Sequence, residues 1–231
     1  MSAPPFDWSD IRLVVFDVDG TLYDQSALRL SMLAELSWHA LKTRSSRTVR
    51  ILKRYRTLRE TIGEAEQEGF DDILLARTAE DWGLDVTEVG RIVQDWMERR
   101  PLRHLRRCRY AHVDRVFAEL RRRKIAIGIF SDYPATDKLR VLGLDANVTV
   151  CAGDASVKIL KPHPRGLYAV MAAVGVGPDQ TLMVGDRIER DGEVARRAGT
   201  QALIRSPKPQ PDWHCFRSYA DPPFSTLFSA A

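Results

Sequence analysis

The chain has 231 residues, 44% of them hydrophobic and 29% charged, with a formal net charge of +4. That supplies one sizeable core, or a core plus a smaller domain, and it excludes a largely disordered chain. No apolar run approaches the ~20 residues that span a bilayer. Met1–Asp10 lacks the basic start of a signal peptide, and Cys108, Cys151 and Cys215 are too scattered for a zinc site or a disulfide framework. The expectation is a cytoplasmic protein with reduced thiols.

In chain order, the first element is an apolar, β-branched run, Ile11–Phe16, stopped by Asp17-Val18-Asp19-Gly20. It reads as a buried strand ending in a loop. From Ser26 to about His104 no strand pattern occurs. Helical periodicity covers Leu28–Leu41, Arg47–Glu60, Asp72–Trp82 and Thr87–Arg99, with Gly63, Gly69 and Gly83 between and Pro101 as the expected stop. Trp38, Trp82 and Trp96 are expected to fill the core of this helical unit. Val113, Val116, Phe117 and Leu120 then mark a helix face, and Ile125–Phe130 a second strand, stopped by Ser131-Asp132. Val148–Cys151, Thr181–Val184 and Gln201–Ile204 are further strands; Leu167, Val170, Met171 and Val174, and later Glu193–Ala198, mark helices. After Ser206 five prolines suggest an extended, partly mobile tail. Alternating strands and helices imply a Rossmann-like parallel sheet, an α/β fold, with a helical domain inserted after the first strand. The expected division is 1–24 with 105–231 as the α/β core and 25–104 as the insertion.

Four polar clusters follow four of the strands, and in open α/β sheets ligands bind beyond the carboxyl ends of strands. Asp17 and Asp19 are two acids in one loop, suited to a nucleophile and a general acid, with Gly20 allowing a sharp turn. Ser131 and the backbone after it, at Asp132, offer donors to a phosphate oxygen. Lys161 is a fixed positive charge. Gly185-Asp186-Arg187, with Asp191 five residues after Asp186, offers hard oxygen ligands for Mg²⁺. Together these are the parts phosphoryl transfer requires.

The ordered set resembles the haloacid dehalogenase-like (HAD) hydrolase superfamily, and in particular its phosphatases with a helical cap of the first type. Its DxDGT motif stands at Asp17–Thr21, its second-motif serine at Ser131, its third-motif lysine at Lys161 and its GDxxxxD motif at Gly185–Asp191. The resemblance implies that Asp17 attacks phosphorus and forms an aspartyl-phosphate, and that Asp19 protonates the leaving oxygen and then activates water. It implies Mg²⁺ on the Asp17 carboxylate, the Asp19 carbonyl and Asp186, with Asp191 acting behind them or through water. Ser131, Asp132, Val18, Asp19 and Lys161 would hold the phosphate. Lys161 would also restrain Asp17, and Thr21 would orient Asp19. The implied partner is a small phosphorylated metabolite.

Taken singly, each cluster has an ordinary explanation: Asp-Gly as a turn, Asp132 as a helix cap, Lys161 as a solvated lysine, Asp191 as a surface acid. Their order argues for one site. The arginines between Arg99 and Lys124 form a basic segment without a nucleic-acid recognition motif, and solvated helix faces explain them better. No GxxxxGK[ST] occurs, and none of the five histidines has ligand spacing. Tyr23 is the aromatic best placed to line the cavity. Phosphomutase action, 2-haloacid dehalogenation and a catalytically silent binding protein are the alternatives. Asp19 weighs against dehalogenation, because halide leaves without a proton.

Overall fold

The computed structural model describes residues 6–228; residues 1–5 and 229–231, which include the start of the N-terminal stretch and the last residues of the expected core, lie outside the described residues. Six strands form one parallel sheet: β1 (Leu13–Phe16), β2 (Ala126–Ser131), β3 (Val148–Cys151), β4 (Thr181–Gly185), β5 (Gln201–Arg205) and β6 (His214–Phe216), in the order β3-β2-β1-β4-β5-β6. β1 is central, and Phe16 lies opposite Ile129 of β2 and Val184 of β4. Alternation along β1 explains why it is apolar throughout. Val14 and Phe16 face one core with Phe117 and Leu120, while Leu13 and Val15 face the other with Leu167 and Val170. Helix α6 (Val113–Arg122) leads into β2, and α7 (Thr136–Leu142), α8 (Arg165–Val174) and α9 (Glu193–Ala198) lie in the connections between the later strands. Strand order reverses between β1 and β4, which opens a crevice at their carboxyl ends.

Between β1 and α6 the described residues form five α-helices: α1 (Gln25–Thr43), α2 (Arg47–Glu64), α3 (Phe70–Trp82), α4 (Val86–Val93) and α5 (Arg100–Cys108). Asp24 caps α1 by accepting from the backbone N–H groups of Ser26 and Ala27. The insertion has an apolar core of its own around Ile51, Tyr55, Ile62, Phe70, Leu74 and Val89. Its entry and exit are stitched together. Asp24 N–H donates to the Cys108 carbonyl at 2.8 Å, and Tyr110 N–H to the Leu22 carbonyl at 3.1 Å.

Three expectations need correction, those on Pro101, Trp38 and the tail. Pro101 does not end a helix: α4 continues through a widened π segment, Gln94–Arg99, into α5, and Pro101 sits in the first turn after it. A turn already out of α register absorbs the missing N–H. Helix α5 consequently runs through the boundary expected at 104/105. Trp38 is not core. It is 67% exposed on the outer side of α1, while Trp82 is half-buried and Trp96 buried. The tail is not merely extended: β6 extends the sheet and α10 (Phe224–Phe228) closes over it. Phe216, Tyr219 and Phe224 pack edge-to-face or tilted, with centroids 4.9–5.1 Å apart. The prolines hid these short elements, β6 lying between Pro211 and Pro222 and α10 directly after Pro223.

Tyr219 is fully buried, and its hydroxyl donates to the Thr21 carbonyl at 2.9 Å. Tyr219→Phe leaves that carbonyl without its partner. Urea unfolding should show a loss of about 1–2 kcal/mol, and an unchanged midpoint would mean that the bond contributes nothing.

Candidate active site

Asp17 is the first residue beyond β1, and Asp186 the first beyond β4, so adjacent strands deliver two carboxylates to the crevice. Asp17 N–H donates to the Val184 carbonyl at 2.8 Å, which carries the strand pairing one residue past Phe16. Gly20 then turns with φ +96°, and a Cβ there would meet the Asp186 carboxylate. At Gly185 a Cβ would collide with Asp191. The two glycines let the loops close on each other.

Lys161 is 1% exposed, and its ammonium donates to Asp17 Oδ1 at 2.8 Å and to Asp191 Oδ1 at 2.7 Å. Burial alone would lower its pKa, but the two carboxylates outweigh burial and hold it protonated. The other Asp191 oxygen accepts from the backbone N–H groups of Asp186, at 3.2 Å, and Arg187, at 3.1 Å. Asp191 is thus used up in fixing Lys161 and the β4 loop.

Asp17, Asp186 and Asp191 each bring an oxygen within 4.8 Å of the others. One ammonium among three carboxylates leaves two negative charges uncompensated. The titration behaviour follows from this. Burial, with Asp191, Asp186 and Asp19 adding to it, pushes Asp17 well above the usual carboxylate range despite Lys161. Burial and then Asp191 push Asp186 up to about 7. Among the described residues, no side chain donates a hydrogen bond to the Asp186 carboxylate. A cluster of hard oxygen donors short of positive charge fits a divalent cation.

Asp19 faces a different environment. Burial would raise its pKa, but Lys138 Nζ donates to both its oxygens, at 2.6 and 2.7 Å, and Tyr23 OH also donates, so it lies below its ordinary value. Thr21 does not orient Asp19, contrary to expectation. The turn at Gly20 brings its hydroxyl back to Asp17 Oδ2 at 3.0 Å. Asp132 does not cap a helix either. α7 begins only at Thr136, and Asp132 Oδ1 accepts the backbone N–H of Lys161 at 3.1 Å. Ser131 ends β2 at the same sheet edge and is fully buried, its hydroxyl accepting from Tyr133 N–H at 3.2 Å. Val18 packs its side chain into the core, leaving only its backbone for the site.

A cavity of about 860 Å³ lies over these groups and is shared between the sheet edge and the insertion. Asp17, Asp19, Tyr23, Asp132, Lys161 and Asp186 line its floor. Helix α2 supplies part of the roof and is tied to the floor by buried charge. Arg59 donates to the Asp132 carbonyl and stacks over Tyr133 at 4.1 Å. Glu60 accepts from Arg190 at 2.8 Å, and Arg190 donates to the Lys161 carbonyl. Lys138, Arg59, Glu60 and Arg190 escaped the sequence reading. Each sits in an amphipathic helix or after a turn, where a charged residue ordinarily faces solvent, and their only signal is spatial.

A family profile described as haloacid dehalogenase-like hydrolase matches residues 11–199. The phosphoglycolate phosphatase of Shigella dysenteriae serotype 1 (strain Sd197) is 26% identical over 225 residues, covering 85% of this chain and 81% of that protein. Among solved structures, a 2-haloacid dehalogenase from Pseudomonas syringae pv. Tomato DC3000 aligns with a TM-score of 0.66 at 21% identity, over 95% of this chain and 100% of the other. A HAD phosphatase from Thermococcus onnurineus aligns with a TM-score of 0.64 at 20% identity, over 91% and 95%. At these identities the structural matches speak for the fold alone.

Two outcomes follow from the charge arrangement. Lys161→Met strands Asp17 and Asp191 in a buried site, and denaturant unfolding should show a loss of about 3–5 kcal/mol. The second concerns pH. The Asp186 carboxyl titrates near 7 when folded against a reference of 3.8, so its contribution to stability is full below about pH 4 and is lost as pH rises through 7. Metal-free protein should therefore lose this contribution progressively between about pH 4 and pH 7. A divalent cation binds the ionised form, so the rise in melting temperature on adding Mg²⁺ should be larger at pH 8 than at pH 6. Equal rises would show that Asp186 does not hold the ion.

Proposed function

Since this chain belongs to the haloacid dehalogenase-like hydrolases, we propose that it is a Mg²⁺-dependent phosphatase that hydrolyses a small phosphate monoester through an aspartyl-phosphate on Asp17. The observation that carries this reading is the second acid, Asp19, in the same loop as Asp17 and aimed with it into one cavity. Halide departs without a proton, so carbon–halogen cleavage gives Asp19 no task, whereas an alkoxide leaving group needs one. The phosphoglycolate phosphatase relative supports the same class.

The ion would be held by the Asp17 and Asp186 carboxylates and the Asp19 backbone carbonyl, with Asp191 supporting them. When bound it would neutralise phosphate oxygens and lower the repulsion met by an anionic nucleophile. The chain's own groups do the rest. Lys161 and Thr21 each occupy one oxygen of Asp17, which fixes the carboxylate plane. Asp17 attacks phosphorus, the bond from phosphorus to the ester oxygen breaks, and Asp19 gives that oxygen its proton. Asp19 then takes a proton from water, the water oxygen attacks phosphorus, and the Asp17–phosphorus bond breaks to release inorganic phosphate.

Asp19 must alternate between acid and base. Its contacts with Lys138 and Tyr23 favour the base, the form needed in the second stage. An arriving phosphate dianion competes for the Lys138 ammonium. As that contact weakens, burial, the largest influence on Asp19, favours the protonated form needed in the first stage. Ser131, the Val18 and Asp19 backbone, Asp132 and Lys161 supply the donors and charge for the phosphate oxygens.

Phosphate release from an aryl phosphate with Mg²⁺ tests the reading. EDTA should abolish turnover, and Asp17→Asn should lower kcat by about 10⁴-fold or more. Activity that survives either change would sink it.

A further inference from the structure

The cavity is far larger than a phosphate and a two-carbon acid require. At about 860 Å³ it lies toward the upper end of the ~300–1,000 Å³ of sites for drug-sized ligands. Its lining is also divided. Acids and Lys161 occupy the floor, where the phosphate would sit. One wall is apolar, with Leu28, Met32 and Leu36 from α1, Leu52 from α2, Trp96 from the π segment and Leu102 from α5. Leu28, Met32 and Leu36 recur every four residues, so a single face of α1 builds much of that wall.

The α2 side carries unclaimed positive charge. Lys53 and Arg56 line the cavity on the same helix face as Leu52 and Glu60. Glu60, the acid of that face, is bound to Arg187 and Arg190. Among the described residues, neither Lys53 nor Arg56 has an ion-pair or hydrogen-bond partner. An arginine offers a planar fork to a carboxylate.

We propose that the substrate is a phosphate monoester with a bulky apolar body and a second anionic group: the phosphate on the floor, the body against the α1 wall, and the second anion on Arg56 and Lys53. This rests on the phosphatase reading for its reaction, while the ligand class follows from the cavity alone. A two-carbon acid phosphate would leave the wall facing water, and an uncharged aryl phosphate would leave the cations unused.

Three probes separate these features: phosphoglycolate, phenyl phosphate and the phosphate ester of 3-(4-hydroxyphenyl)propanoate. Binding is measured calorimetrically on the Asp17→Asn variant with Mg²⁺, so that leaving-group reactivity does not enter, and phosphate release is measured on the unaltered protein. The phenylpropanoate ester should bind at least about tenfold tighter than either other probe. Arg56→Gln, a change at an exposed position, should cut its advantage over phenyl phosphate about fivefold. Leu36→Ser should weaken both aryl probes more than phosphoglycolate. Phosphoglycolate binding as tightly as the phenylpropanoate ester, or Arg56→Gln leaving the two aryl probes in the same ratio, overturns the proposal. Phosphate release by the unaltered protein would in that case keep the phosphatase reading. The expected binding order without phosphate release from any probe overturns the phosphatase reading and supports the ligand class.

Discussion

The buried ammonium of Lys161 is the constraint on which the site is built. An ammonium with no access to water is stable only against carboxylates at contact distance, and Asp17 and Asp191 supply them from the loops after β1 and β4. Lys161 itself comes from a third segment, after β3. One side chain therefore holds three chain connections in register, and each is further tied by backbone bonds: Lys161 N–H to Asp132, the Asp186 and Arg187 N–H groups to Asp191. The group that would steady a nucleophile is also the group that holds the sheet edge together. That double use explains why so costly a burial persists in a fold with ample apolar core.

The same electrostatic deficit reaches the insertion. Arg59 and Glu60 are consecutive on α2, yet they engage different loops, the first after β2 and the second through Arg190 after β4. Arg190 in turn donates to the Lys161 carbonyl, so the insertion is wired to the lysine at one remove. The helical unit is coupled to the floor by hydrogen-bonded charge and itself supplies the apolar wall.

Strong periodicity made most of the fold legible. β1 to β5 were visible as short apolar runs between turn residues, because strands covered on both faces must be apolar throughout. β6 was not, since three residues, two half-buried and one buried, are too few to carry a period. Helix α5 was cut short because a proline is normally a stop, and only the preceding π segment makes it tolerable. In the site, residues that follow strand ends could be read because topology gathers strand ends. Thr21 was matched to the wrong acid, since the turn at Gly20 decides which carboxylate its hydroxyl meets. Lys138, Arg59 and Arg190 were hidden for a related reason: nothing along the chain distinguishes a charge that faces a buried loop from one that faces water.

The bond from Tyr219 to Thr21 joins residues 198 apart in sequence. A chain made from its N-terminus onward emits Asp17 and Asp19 early, and Lys161, Asp186 and Asp191 well before Tyr219. All the motif residues are thus out of the ribosome before the loop that carries the first two has its last brace. During synthesis there is an interval in which the chemistry is present and its support is missing. A product ended in that interval would look complete by its motifs and still carry a nucleophile loop lacking part of its foundation.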